Sequence, residues 1–191
     1  MIPDFETGTP ASGRELSDAL GALLASGVAY LSTLSDRQFF TPQGSAWSPA
    51  DHVRHLQLAA APLARGLSLP RWLLALRFGH GTGRSRSFEA VRELYRKALQ
   101  GGAQAGRFGP RPEPHPDDAV PRRQEIVNAW SRVTVELQNV IARWPEHALD
   151  RQLLPHPVLG PLTVREMLAF TVYHTAHHLR RIAERAAGPA A

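Results

Sequence analysis

The chain reads as an all-α protein: a four-helix bundle with one long, partly helical crossover between its second and third long helices. Three observations predict this. Four long segments repeat their apolar residues every three or four positions, the period of a helix with one buried face. The stretches between them are rich in proline and glycine, and no apolar run alternates as a half-buried strand does. An apolar content of 43% over 191 residues is ample for one core. Residues 1–191 are therefore expected to form a single domain, with long helices at about 13–34, 49–66, 119–144 and 163–187 and an insertion at 67–118.

The first helix begins at a capping box, Ser12 with Glu15, in which each side chain satisfies an orphan backbone amide of the first turn. Leu16, Leu20, Leu23, Tyr30 and Leu34 then share one stripe. The second helix starts after Ser48, with Pro49 suited to the first helical position and Asp51 adding negative charge to the first turn. From Arg71 to Asp118 the long periodicity breaks. Arg71–Phe78 and Phe88–Leu99 read as short helices about a Gly79–Ser87 loop. Gly101–Asp118, with Pro110, Pro112, Pro114 and Pro116 alternating, reads as an extended surface loop. In the third long helix Ile126, Trp130, Val133, Leu137, Ile141 and Trp144 keep register until Pro145. The fourth opens on another capping box, Thr163 with Glu166, and ends before Gly188-Pro189. Trp72, Trp130 and Trp144 fall on apolar stripes and are expected in the core.

Composition excludes several chemistries. There is no cysteine, so disulfides, thiolate zinc sites, iron–sulfur clusters and cysteine nucleophiles are out. The formal charge is +5, and all but Lys97 of the 22 basic residues are arginine. These arginines are spread from Arg14 to Arg185 rather than gathered on one tract, which speaks against a nucleic-acid partner. No apolar run reaches the roughly 18 residues of a membrane span, and the N-terminal segment carries acids where a secretory leader carries an apolar run. The expected compartment is the cytoplasm. The expected partners are a small-molecule substrate and at most a second copy of the chain, as a homodimer; neither nucleic acid nor membrane is expected.

Nine histidines remain as the chemistry-bearing residues. On the fourth helix the buried stripe reads Val164, Met167, Thr171, His174, His178, Ile182, so His174 and His178 stand one turn apart and can offer two imidazoles to one metal ion. Without a metal they need separate hydrogen-bond partners. His177 falls on another line, with Phe170, Tyr173 and Arg181. A third ligand has to come from the second helix, which offers His52 and His55. Its apolar direction, set by Val53, Leu56, Ala60 and Leu63, lies nearer His52. Asp51 precedes His55 by one turn and is either a helix cap or a carboxylate that orients the ring. His80, His115, His147 and His156 sit in or beside loops and read as solvated surface residues.

The run Trp47-Ser48-Pro49-Ala50-Asp51-His52-Val53-Arg54-His55-Leu56 resembles the DinB-like (YfiT-type) family of metal-dependent enzymes, whose second helix opens on a Trp-Ser/Thr cap with a histidine seven residues later, here His55. The histidine pair of that family's last helix corresponds to His174 and His178. The run from His156 to Leu168 also resembles the entry to that helix. The resemblance covers roughly Leu16 to Glu184 and excludes the insertion. It implies a four-helix bundle with a divalent metal, zinc or nickel, on His55, His174 and His178; the periodicity of the second helix keeps His52 as the alternate ligand. The resemblance also implies a transferase or isomerase that uses a low-molecular-weight thiol as cosubstrate. An open position on a three-histidine metal suits a hydrolase as well as a thiol transferase. The other reading is a non-catalytic metal- or ligand-binding bundle with a stress-related role.

Overall fold

Side-chain caps start three of the four long helices, and the other begins after Asp118 with no such bond. Ser12 Oγ accepts from the Glu15 amide at 3.1 Å and the Glu15 carboxylate from the Ser12 amide at 2.9 Å, which opens α1 (Gly13–Ser32). A second capping box, Ser35 with Gln38, starts the five-residue α2 (Asp36–Phe40), which buries Phe39 and Phe40. Ser48 and Asp51 open α3 (Pro49–Leu67). The crossover carries α4 (Arg71–Phe78), α5 (Phe88–Gln100) and a 3-10 turn at Gly106–Phe108. Then come α6 (Ala119–Ile141), α7 (Glu146–Arg151), the strands β1 (Leu153–His156) and β2 (Gly160–Thr163), and α8 (Val164–Ala186). The computed structural model describes residues 3–42, 44, 46–112 and 116–186; Pro114, His115, Ala187 and Gly188-Pro189 lie outside them.

Four long helices, α1, α3, α6 and α8, form the bundle. α1 and α3 each pack against both α6 and α8, so that α3 and α8 share one seam and α1 and α6 another. The expected stripes are buried, from Ile126 to Ile141 along α6, with Trp144 buried just beyond its end, and from Val164 to Ile182 along α8. α1 approaches α6 closely at Gly27, where a Cβ would meet Trp130 Cη2 at 2.8 Å and Leu179 at 3.1 Å. α5 lies along the outside of α8. The crossover is tied there by Arg86, whose backbone amide and Nε both donate to Glu166 Oε1 at 2.8 Å. Burial alone pushes the Glu166 carboxyl up, and the bonds from Arg86 and the Thr163 amide together more than offset this and hold it below the usual range.

Four expectations need correction. β1 and β2 form an antiparallel hairpin where no strand was expected, with Pro155 opposite Pro161. Prolines suppress the strand signal, yet a two-stranded ribbon tolerates them where no ladder bond is needed. Leu31 rather than Tyr30 completes the buried stripe of α1. Trp72 is 70% exposed, because α4 turns its Leu74 side inward. Among its described residues the 101–118 segment is not simply an extended surface loop: Gly106–Phe108 form a 3-10 turn, Pro110 is buried, and a Cβ added at Gly109 would meet the Trp47 ring at 3.8 Å. Among the described residues no helix is long and apolar enough to cross a membrane.

Candidate metal centre

His55 comes from the second turn of α3, and His174 and His178 from successive turns of α8 across the shared seam. Their rings meet edge to edge: His55 Nε2 lies 2.9 Å from His174 Nε2, and His178 Nε2 lies 3.1 Å from the same atom. One nitrogen from each ring falls within 4.8 Å of the other two, and all three residues are buried.

A count of protons shows what the cluster lacks. His55 Nδ1 donates to the Phe108 carbonyl at 2.9 Å, so the neutral ring presents a bare Nε2. His178 Nδ1 lies 2.7 Å from His52 Nδ1. If His178 donates there, its Nε2 is bare too, and His174 Nε2, with one proton at most, faces two bare nitrogens. If His52 donates, His178 Nε2 donates in turn to His174 Nε2, which then faces the bare His55 Nε2. One of the two short contacts therefore sets lone pair against lone pair unless a cation lies among them. Extra protons are disfavoured: burial, reinforced by neighbouring imidazoles, holds His174 and His178 well below the ordinary histidine range. Burial lowers His55 as well, partly offset by its bond to Phe108. On tetrahedral zinc with bonds of about 2.0–2.1 Å, nitrogens stand about 3.3 Å apart. The spacing and the neutral donors thus fit a divalent ion.

Of the other site residues expected from the sequence, His52 is buried but does not join the three nitrogens. It stands behind His178, and its own Nε2 has no hydrogen-bond partner. Burial, with smaller contributions from Arg185 and His55, pushes it down to about 3. Both histidines of α3 fit inside because the buried arc of this helix is wide, from Asp51 and His52 round to His55 and Leu56. Asp51 is the cap: its carboxylate accepts from the Ser48 hydroxyl at 2.8 Å and the Ser48 amide at 3.2 Å. The group that orients His55 is the Phe108 carbonyl. His177 is half-buried beside Tyr95 and Tyr173, with ring centroids 6.1 and 6.5 Å away.

His156, expected at the surface, is instead packed against Phe170 at 4.4 Å between ring centroids. Its Nδ1 accepts from the Val158 and Leu159 amides at 3.2 and 3.0 Å, and burial lowers it to about 4. His80 and His147 are exposed, as expected. Trp47, just before the α3 cap, lies over the cluster, nearly parallel to His178 at 6.0 Å and tilted to His55 at 5.0 Å. A cavity of about 440 Å³ opens beside the triad, walled by α3, α4, α5, the hairpin and α8.

The sequence of the DinB superfamily, as a family model, matches residues 19–182, which include the whole bundle apart from the first turns of α1 and the last turn of α8. The chain belongs to the DinB superfamily. This DinB-superfamily chain is also similar to the solved structure of TT2238, a four-helix bundle protein, at 20% identity and a TM-score of 0.52. That likeness covers 89% of this chain and 97% of the other, and it speaks for the fold alone. No curated protein matches the sequence. The DinB chain thus brings together three buried histidines that could hold a metal ion.

Proposed function

We propose that this chain is a metal-dependent enzyme acting on a small molecule, with zinc or nickel held by His55, His174 and His178. One observation carries this: three buried, neutral Nε2 atoms converge on the wall of a cavity that a small molecule can enter. Three neutral donors leave a divalent ion its full charge and at least one open position, the pattern of catalytic sites. When bound, such an ion lowers the pKa of a coordinated water or thiol and so supplies a nucleophile near neutral pH. The chain's own residues do the rest. The Phe108 carbonyl and His52 fix two of the rings, and Trp47 covers the cluster.

Two reactions suit this arrangement: hydrolysis, and transfer of a low-molecular-weight thiol. Among the described residues no aspartate or glutamate lines the cavity. Hydrolytic metal sites commonly use such a carboxylate to take the proton of water, whereas a coordinated thiol loses its proton outright. This favours thiol transfer. The test is metal analysis of the purified chain, followed by a thiol panel on the cobalt-substituted protein. About one equivalent of metal and thiolate-to-cobalt charge-transfer bands are expected. Failure to take up any transition metal on dialysis would sink the metal-dependent reading. Bands that respond to ester or phosphate analogues and to no thiol would turn it to hydrolysis; a metal that no small molecule perturbs would make it structural.

A further inference from the structure

The cavity beside the triad has an unusual wall. One residue in five of this chain is charged (20%), so a wall of this size drawn at random would hold several charges. Among the described residues that line it there is no arginine, lysine, aspartate or glutamate. The far end is built from Leu63, Leu69, Leu74, Phe78 and Leu99, and the wall towards α8 from Tyr95 and Phe170. Phe170 stacks on His174 at 5.0 Å with the planes 23° apart, so the aromatic wall runs up to the metal-ligating edge. The apolar lining continues to the surface through Leu69, which is 46% exposed. Away from the triad, His156 supplies a polar group: with Nδ1 accepting two backbone amides, the proton of the neutral ring is on Nε2, a neutral donor.

A charge carried into the body of this space, away from the three-histidine centre, would lose its water and meet no counter-charge among the described lining residues. Apolar area, by contrast, is stabilised by the same transfer. We propose that the cavity takes an uncharged, largely apolar small molecule, aromatic or aliphatic in its body, with one oxygen or sulfur reaching the three-histidine centre. A volume of about 440 Å³ suits a single such molecule. The end that faces the triad rests on the metal-dependent reading above; the ligand class does not. A thiol cosubstrate, on the same grounds, keeps any carboxylates of its own outside this wall.

The test uses three probes with one body and different heads: 6-phenylhexan-1-ol, 6-phenylhexanoate and 6-phenylhexylammonium. Binding to the full-length, metal-free chain is followed by quenching of tryptophan fluorescence, Trp47 being in the wall. The alcohol is expected to bind at least about tenfold more tightly than either ion. Ala59→Phe, which fills a half-buried position of the wall, should lose that binding while keeping its helical circular dichroism. Leu99→Arg should reverse the preference towards the carboxylate. Equal or tighter binding of an ion by the unmodified metal-free chain would overturn the proposal, as would undiminished alcohol binding by Ala59→Phe. Metal uptake is measured separately on the same preparation. An alcohol-binding chain that takes up no metal would leave the ligand class standing and remove the catalytic reading.

Discussion

The α1–α6 seam and the α3–α8 seam run through the same bundle with the same helical periodicity, and they carry opposite chemistry. The first is closed by Leu16, Leu20, Leu23, Trp130 and Leu137, with Gly27 allowing Trp130 to reach Leu179. Nothing there needs a partner from outside. The second places His55, His174 and His178 at the positions where leucine would stand, with His52 behind them. Its nitrogens are not all satisfied by one another, since two short contacts share too few protons and His52 Nε2 has no partner. One seam supplies stability that the chain owns; the other brings together three nitrogens close enough to hold a cation. Residues that stabilise the fold and residues that hold the ion should therefore separate in experiment.

The largest effect on stability belongs to the apolar seam. Trp130→Ala should lose about 3–5 kcal/mol in denaturant unfolding, because Gly27 and Leu179 cannot close over so large a void. Metal affinity of the remaining folded protein should be little changed. A loss under about 1 kcal/mol would mean that the α1–α6 seam is not where the fold is held.

The histidine seam should behave in the reverse way. His55→Ala or His174→Ala should weaken metal binding by more than about a hundredfold, since two imidazoles hold a divalent ion poorly. Stability of the metal-free protein should fall less than in Trp130→Ala. In the unmodified chain, chelation should lower Tm without abolishing helical circular dichroism, because the ion stabilises by mass action a bundle that is already folded. Complete loss of helicity on chelation would erase the contrast between the seams.

How much of this was legible in the sequence follows the same division. Helical period and capping boxes are local signals, and they place α1, α3, α6 and α8 and the inward pair His174 and His178. The choice between His52 and His55 was not local. The wheel of α3 favours His52, and only the family register favours His55, because a helix touching two neighbours buries an arc wide enough for both. The orienting group of His55 was out of reach altogether. It is a backbone carbonyl, that of Phe108, and no side-chain pattern announces it. His156 was misread because two prolines hide the hairpin that folds it against Phe170. Trp47 was legible as part of the cap motif, but not as the ring lying over the cluster.

A middle-sized effect decides the role of His52. If it acts through His178, His52→Ala should cost about 10–100-fold in metal affinity and leave the stoichiometry at one. His52→Asn, whose amide oxygen can accept from an imidazole N–H, should recover part of the loss. An empty site in His52→Ala with a full one in His55→Ala would mean that the helical wheel, not the family register, names the ligand of α3.

The smallest expected effect is that of His177→Ala, and it sharpens the boundary of the seam. Its side chain leaves α8 about 100° from that of His178, and its ring sits between Tyr95 and Tyr173 on the cavity wall. Burial and the nearby Arg181 and Arg180 lower it to about 4, so at neutral pH it is an uncharged wall residue. Zinc affinity, measured against a competing chelator, should change by less than about threefold, well short of the 10–100-fold cost of losing a group that orients a ligand. A small molecule held in the cavity should feel the substitution more than the ion does, because the ring is part of its surroundings. A tenfold loss of zinc affinity would show that α8 turns His177 into the centre, and that the metal-binding edge of the seam is wider than three nitrogens.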